Sequence, residues 1–199
     1  ELTVVTDENG QMLVRRAETN AGDLVTDAYR HSLGTDIAFE NGGGIRNDVA
    51  AGSITYGHIA ALSPYDQHLV VLEVTGATIL DMLKKCTAIT PDYEGNFPQC
   101  SGLTYVIHTG SHTVTDVKVA DANGSYADGT WRFALHQYDF VGGDNSSGNE
   151  ANVSGSGQFG NVYMEDGTTR ASNNDVSTAN AKWIDLFCWG TSGWDSGAN

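Results

Sequence analysis

Apolar positions along the chain fall into alternating local periods. Leu2 to Val5 is a short apolar run that reads as a strand. From Asn20 to Leu33 the spacing turns helical, with Leu24, Val25, Ala28 and Tyr29 on one face. Asn20 stands where an N-cap is needed, and Gly34 where a left-handed residue closes a helix. Asp36 to Glu40 reads as a buried strand that runs straight into Asn41-Gly42-Gly43-Gly44-Ile45-Arg46. Ile54 to Leu62 predicts a short helix stopped by Pro64, and His68 to Val74 a β-branched strand. Thr75 then caps a helix to about Cys86. Strands follow at Leu103–His108, Val114–Val119 and Trp131–Tyr138. Residues 142–178 are dominated by Gly, Ser, Asn and Asp and read as one long loop, after which 179–189 regain helical spacing. Helices mixed with adjacent strands, rather than strict alternation, predict an α+β domain of layered mixed β-sheets with flanking helices.

Composition narrows the partners. The 199 residues carry 10 Lys+Arg against 25 Asp+Glu, a formal net charge of −15. Such a surface repels nucleic-acid backbones and anionic lipid, and no apolar run is long enough for membrane insertion. The chain opens on Glu1-Leu2-Thr3-Val4, without an initiator Met or a basic leader, so it is expected to be a mature or excised piece of a longer protein. Its length fits a single domain spanning 1–199. Cys86, Cys100 and Cys188 lack C-x-x-C spacing. A Cys86–Cys100 bridge would contribute about 3 kcal/mol through loop entropy, and free thiols are the equal alternative.

The chemistry in the sequence is that of a binder, or of half an enzyme. Six scattered histidines form no recognisable metal string, and neither a Gly-x-Ser-x-Gly elbow nor a P-loop is present. Glycines 42–44 let a backbone approach a ligand closely and turn N–H groups toward it. Arg46 follows at once, and Arg15-Arg16 is the other arginine cluster in a cation-poor chain. Tyr138-Asp139-Phe140 precedes Gly142-Gly143-Asp144, which places rings for stacking before a carboxylate able to accept from ribose hydroxyls.

Four strings in order carry a family resemblance: Arg15-Arg16-Ala17-Glu18-Thr19-Asn20-Ala21-Gly22-Asp23, Asn41-Gly42-Gly43-Gly44-Ile45-Arg46, Gly52-Ser53-Ile54-Thr55-Tyr56 and Gly142-Gly143-Asp144. Over residues 1–145 the chain resembles the C-terminal, substrate-binding domain of the 5′-nucleotidase / UDP-sugar hydrolase family. The resemblance implies a nucleotide- or nucleoside-binding role in an extracellular, periplasmic or cell-surface hydrolase. It also implies an N-terminal metallophosphoesterase domain holding two divalent metal ions. No Asp-x-His, Gly-Asn-His or Gly-His-x-His string for that domain occurs here, so the chain alone is expected to hydrolyse nothing.

Carried over by position, the substrate-binding residues are Arg15 (or Arg16), Asn41, Gly43, Gly44, Arg46 and Asp144. The ring pair that clamps the base falls on Tyr65 and on either Tyr138 or Phe140. Tyr in place of the usual Phe keeps the π-face. A stand-alone nucleoside or metabolite module, and a structural domain that has lost the site, are the competing readings.

Overall fold

A computed structural model describes residues 7–65, 69–120, 125–136, 161–163 and 170–171. The expected strand at 2–5 and helix at 179–189, and Cys188, lie outside them. Helix α1 (Asn20–Leu33) leads to β1 (Ile37–Asn41), and α2 (Tyr56–Leu62) to β2 (Leu69–Thr75). Then come α3 (Gly76–Cys86), β3 (Pro98–Ser101), β4 (Leu103–His108), β5 (Thr113–Val119) and β6 (Thr130–His136). Two short strands, β7 (Asn161–Tyr163) and β8 (Arg170–Ala171), complete the set.

The main sheet has the order β3-β1-β6-β2-β7-β8, and β4 pairs with β5 in a separate hairpin. Within the main sheet β1 and β6 run parallel, with Ile37 opposite Phe133 and Ala38 opposite Ala134, while the other pairings are antiparallel. This is the mixed α+β architecture the sequence predicts.

Strand alternation divides the core in two. Ile37, Phe39, Phe133 and Leu135 point to the face covered by α3 and the β4–β5 hairpin. Ala38, Ala134, Leu69 and Val71 point to the face covered by α1, with Val25, Tyr29 and Leu33 packed against them. α3 lays Ile79, Met82, Leu83 and Cys86 on its sheet side and carries Lys84 and Lys85 in its last turn, where cations favour the helix dipole.

Several boundaries depart from the sequence reading. Thr19, not Asn20, caps α1: its hydroxyl accepts from Gly22 N–H at 3.1 Å, which leaves Asn20 as the first helical residue. Gly34 closes the helix in the left-handed region at φ 58°, as its position suggests. α2 begins at Tyr56, because the Thr55 hydroxyl accepts from His58 N–H while His58 Nδ1 accepts from Thr55 N–H. Cys86 and Cys100 are not bonded to each other, so the Cys86–Cys100 bridge is not formed. Burial pushes the Cys100 thiol up to about 12, against a smaller opposing hydrogen bond with Tyr105. Within 142–178, read as loop, β7 and β8 extend the sheet beyond β2, with Val162 opposite Leu72. β3 escaped the sequence reading. It lies at the sheet edge with Pro98 at its first residue, where a missing N–H is tolerated.

Gln99 on β3 is wholly buried, and its amide is fully used. Nε2 donates to the carbonyls of Val14 and Ala17 at 2.9 and 2.8 Å, and Oε1 accepts from Thr19 N–H at 3.1 Å. Gln99→Ala strands three buried backbone groups and should destabilise the domain by about 3 kcal/mol. Gln99→Glu should cost at least as much despite its equal size, because a carboxylate offers no donor to either carbonyl. Urea denaturation of both variants checks this.

Candidate functional site

The site is built where β1 ends. Asn41 is the last residue of the strand, and Gly42–Gly44 fold at once into a single 3-10 turn. The turn is clamped from two sides. On one side Gly42 N–H donates to Phe97 O at 2.8 Å and Gly43 N–H to Gly95 O at 2.6 Å. The buried Asn41 amide adds Nδ2 to Gly95 O at 3.1 Å. On the other side lies the backbone of Val14 and Arg15, so close that a β-carbon at Gly42 would overlap the Val14 carbonyl. Glycine is required here by close approach rather than by an unusual φ.

This packing separates the two arginines that the sequence leaves open. Arg15 sits beside the turn, its Cα 3.3 Å from where a Gly42 β-carbon would lie, and its carbonyl accepts from Glu94 N–H at 3.0 Å. Its Nε is buried and makes no hydrogen bond among the described residues. Arg16 is engaged elsewhere. Its guanidinium pairs with Asp7 at 3.2 Å and lies 4.6 Å over the centroid of the Tyr93 ring. The Tyr93 hydroxyl also donates to Asp7, and that bond, with the Gln11 and Asn9 backbone N–H groups, holds the Asp7 carboxyl below its ordinary range.

Arg46 leaves the turn on the exposed side and folds back, Nη1 donating to Gly43 O at 3.2 Å. Its backbone N–H donates to Leu62 O at 2.7 Å, and Asn47 Nδ2 to Ala61 O at 2.5 Å. These bonds tie the glycine turn to the C-terminal end of α2, three residues before Tyr65. Tyr65 is 43% exposed, which leaves its ring open to solvent. The structure thus brings Asn41, Gly43, Gly44 and Arg46 to one turn, with Arg15 beside it, and links that turn to the segment that carries Tyr65. Tyr138, Phe140 and Asp144 lie outside the described residues. β6 runs parallel to β1, so it reaches His136 at the same end of the sheet at which β1 reaches Asn41. In open sheets that end is where ligands gather.

With this geometry in place, the sequence match is decisive: residues 2–149 match the family described as 5′-nucleotidase, C-terminal domain. The chain belongs to that family. It is 32% identical over 145 residues to the trifunctional nucleotide phosphoesterase protein YfkN of Bacillus subtilis, covering 67% of this chain and 10% of the relative. It is 31% identical over 131 residues to protein UshA of Escherichia coli, covering 66% and 23%. The crystal structure of a 5′-nucleotidase precursor from Thermus thermophilus superposes with a TM-score of 0.60 at 34% identity, covering 66% of this chain and 28% of that one. The chain therefore spans between a tenth and about a quarter of the length of these curated relatives.

One part of this 5′-nucleotidase C-terminal domain was not legible as a site in the sequence. Tyr29 of α1, Glu40 of β1 and His136 of β6 meet under the glycine turn, all out of water. The Tyr29 hydroxyl is 2.7 Å from His136 Nε2 and 3.1 Å from Glu40 Oε2, and His136 Nδ1 is 3.3 Å from the same oxygen. A signal was present: Glu40 is a charged residue in an otherwise apolar strand, directly before Asn41. Spacing alone places Tyr29 on a helix face and His136 in a strand. Burial pushes His136 down to about 3, so the imidazole is neutral in the folded domain at pH 7.

Unfolded, His136 takes up a proton below about 6.5, whereas the folded domain resists it until about 3. Between those values the unfolded chain binds more protons, so stability should fall as pH drops from 6.5 toward 3. Melting temperatures across pH 7.5 to 4.5 should show this decline, and His136→Gln should flatten it.

Proposed function

We propose that this domain binds the nucleoside part of a nucleotide and presents its phosphate to the metal centre of a larger phosphoester hydrolase. The observation that carries the reading is the convergence of Arg15, Asn41 and Arg46 on one short glycine turn, in a chain with 10 cations against 25 acids. Asn41, whose Nδ2 also donates to Gly95 O, carries an amide of the kind that pairs with a base edge. The exposed Arg46 guanidinium suits ribose and phosphate oxygens, and Arg15 adds positive charge from the far side of the turn. Tyr65 provides one stacking face, with Tyr138 or Phe140 as the second and Asp144 as the acceptor for ribose hydroxyls.

In the parent protein we assign the hydrolytic step to an N-terminal metallophosphoesterase domain with two divalent metal ions, which would activate water and neutralise developing charge. The described residues of this domain offer no group of three or more His, Cys, Asp or Glu placed to hold a metal ion. The relatives described as nucleotide phosphoesterase and 5′-nucleotidase support the substrate class. The same reading places the parent protein outside the cytoplasm, in an extracellular, periplasmic or cell-surface location, in line with its likeness to a 5′-nucleotidase precursor.

Isothermal titration of the domain with adenosine, AMP and UMP tests the reading. Adenosine and AMP should bind, and Arg46→Ala should weaken AMP more than adenosine. Equal losses would remove Arg46 from the phosphate side. Tyr65→Ala should lose about 1–3 kcal/mol for every ligand through lost base stacking. No binding of any of the three at millimolar concentration, by a domain that melts cooperatively, would overturn the proposal.

A further inference from the structure

The cluster of Tyr29, Glu40 and His136 has no place in the binding chemistry above, yet it takes a carboxylate and an imidazole into an apolar core. Burying an ionisable group is costly unless it is well paired, and a hydrophobic replacement of similar volume is often as stable. Its position offers a reason for keeping it. Glu40 precedes Asn41 by one residue, and the glycine turn doubles back over it. A β-carbon at Gly44 would fall inside the Glu40 carboxylate, and that same β-carbon would lie 3.1 Å from Asn41 Oδ1. The carboxylate is therefore the surface on which the far end of the turn rests. It is held from below by Tyr29 on α1 and from the side by His136 on the neighbouring parallel strand.

We infer that Glu40 is a positioning residue of the nucleoside site: its reach, fixed by Tyr29 and His136, sets the height of the Gly42–Gly44 turn and so the placement of Asn41 and Arg46. The inference rests on the nucleoside-binding reading. It turns on the length of the side chain rather than its charge, which makes it separable from a merely structural role. Glu40→Gln keeps the reach and loses the charge. Glu40→Asp keeps the charge and withdraws the carboxylate from Gly44.

Adenosine titration of the whole chain distinguishes these. Glu40→Gln should bind within about threefold of the unaltered protein, and Glu40→Asp at least about tenfold more weakly. Gly44→Ala should also weaken binding, because its methyl group collides with the carboxylate. Combining it with Glu40→Asp should recover part of that loss, since the shorter side chain leaves room. The reverse order, with Asp retaining affinity and Gln losing it, would overturn the inference, as would equal affinity in all variants or no recovery in the double variant. Should the unaltered domain bind no adenosine, the functional reading falls. The positioning claim is then decided by the Asn41 side-chain amide resonances in ¹H–¹⁵N spectra. These should move in Glu40→Asp and hold in Glu40→Gln, and an unmoved pair in both variants would overturn it.

Discussion

Gln99 sits wholly out of water on the edge strand β3, and its side-chain amide is shared among three backbone groups of the segment that precedes α1. Those groups belong to Val14, Ala17 and Thr19. The amide thereby presses residues 14–19 onto the sheet and fixes where α1 begins. It also dictates composition nearby, since Gln99 lies across α1 so closely that a β-carbon at Gly22 would overlap its side chain. The consequences reach the site directly. Val14 and Arg15, held by this bond, form the wall against which Gly42 packs. A shift there would move the turn that carries Asn41 and Arg46.

The turn itself shows how a rigid site can be made from glycine, the most flexible residue. Its three residues lose a large conformational freedom on folding. That cost is offset by hydrogen bonds to Gly95 and Phe97 on one side, by packing on Val14 on another and by the Glu40 carboxylate beneath. Segment 93–97 is in turn anchored by the Asp7–Tyr93–Arg16 contacts. Arg16 therefore stabilises the brace while Arg15 stands at the turn. Adjacent arginines in one string serve different ends: Arg15 is the last residue of the 3-10 turn at Leu13–Arg15, and Arg16 lies just beyond it.

What the sequence made legible was local. α1 and α3, the left-handed Gly34, the Thr75 cap and the alternating strands β4, β5 and β6 all follow from spacings within a dozen residues. The cap of α1 was displaced by one residue because Thr19 and Asn20 are both good capping types, and only the reach of the Thr19 hydroxyl to Gly22 N–H separates them. β3 was illegible because Pro-Gln-Cys-Ser has neither alternation nor β-branching. It is a strand because β1 offers it an edge, with Phe39 opposite Cys100 and Glu40 opposite Gln99. The glycine turn and its arginines were found because a distinctive string marks them. Glu40, Tyr29, Gln99 and His136 were not, since each takes its meaning from a partner brought in by tertiary folding, as Tyr29 does from His136 across more than a hundred residues.

The strand order carries a consequence for how the chain reaches its native state. β1, made early, finds its neighbours only in β3 and β6, so Ala38 must wait for Ser101 and Ile37 for Phe133. β2 likewise pairs with β6 along its whole length, from Leu69–His136 to Thr75–Thr130. The central strand of the sheet is thus the last of the well-paired ones to be synthesised. Until it arrives, β2 has no strand partner among those already made, and β1 has only β3. Topologies dominated by such distant pairings fold slowly, because loop closure precedes its reward. The β1–β6–β2 core of the sheet can therefore close only once residues 130–136 have been made, around a strand that inserts between two earlier ones.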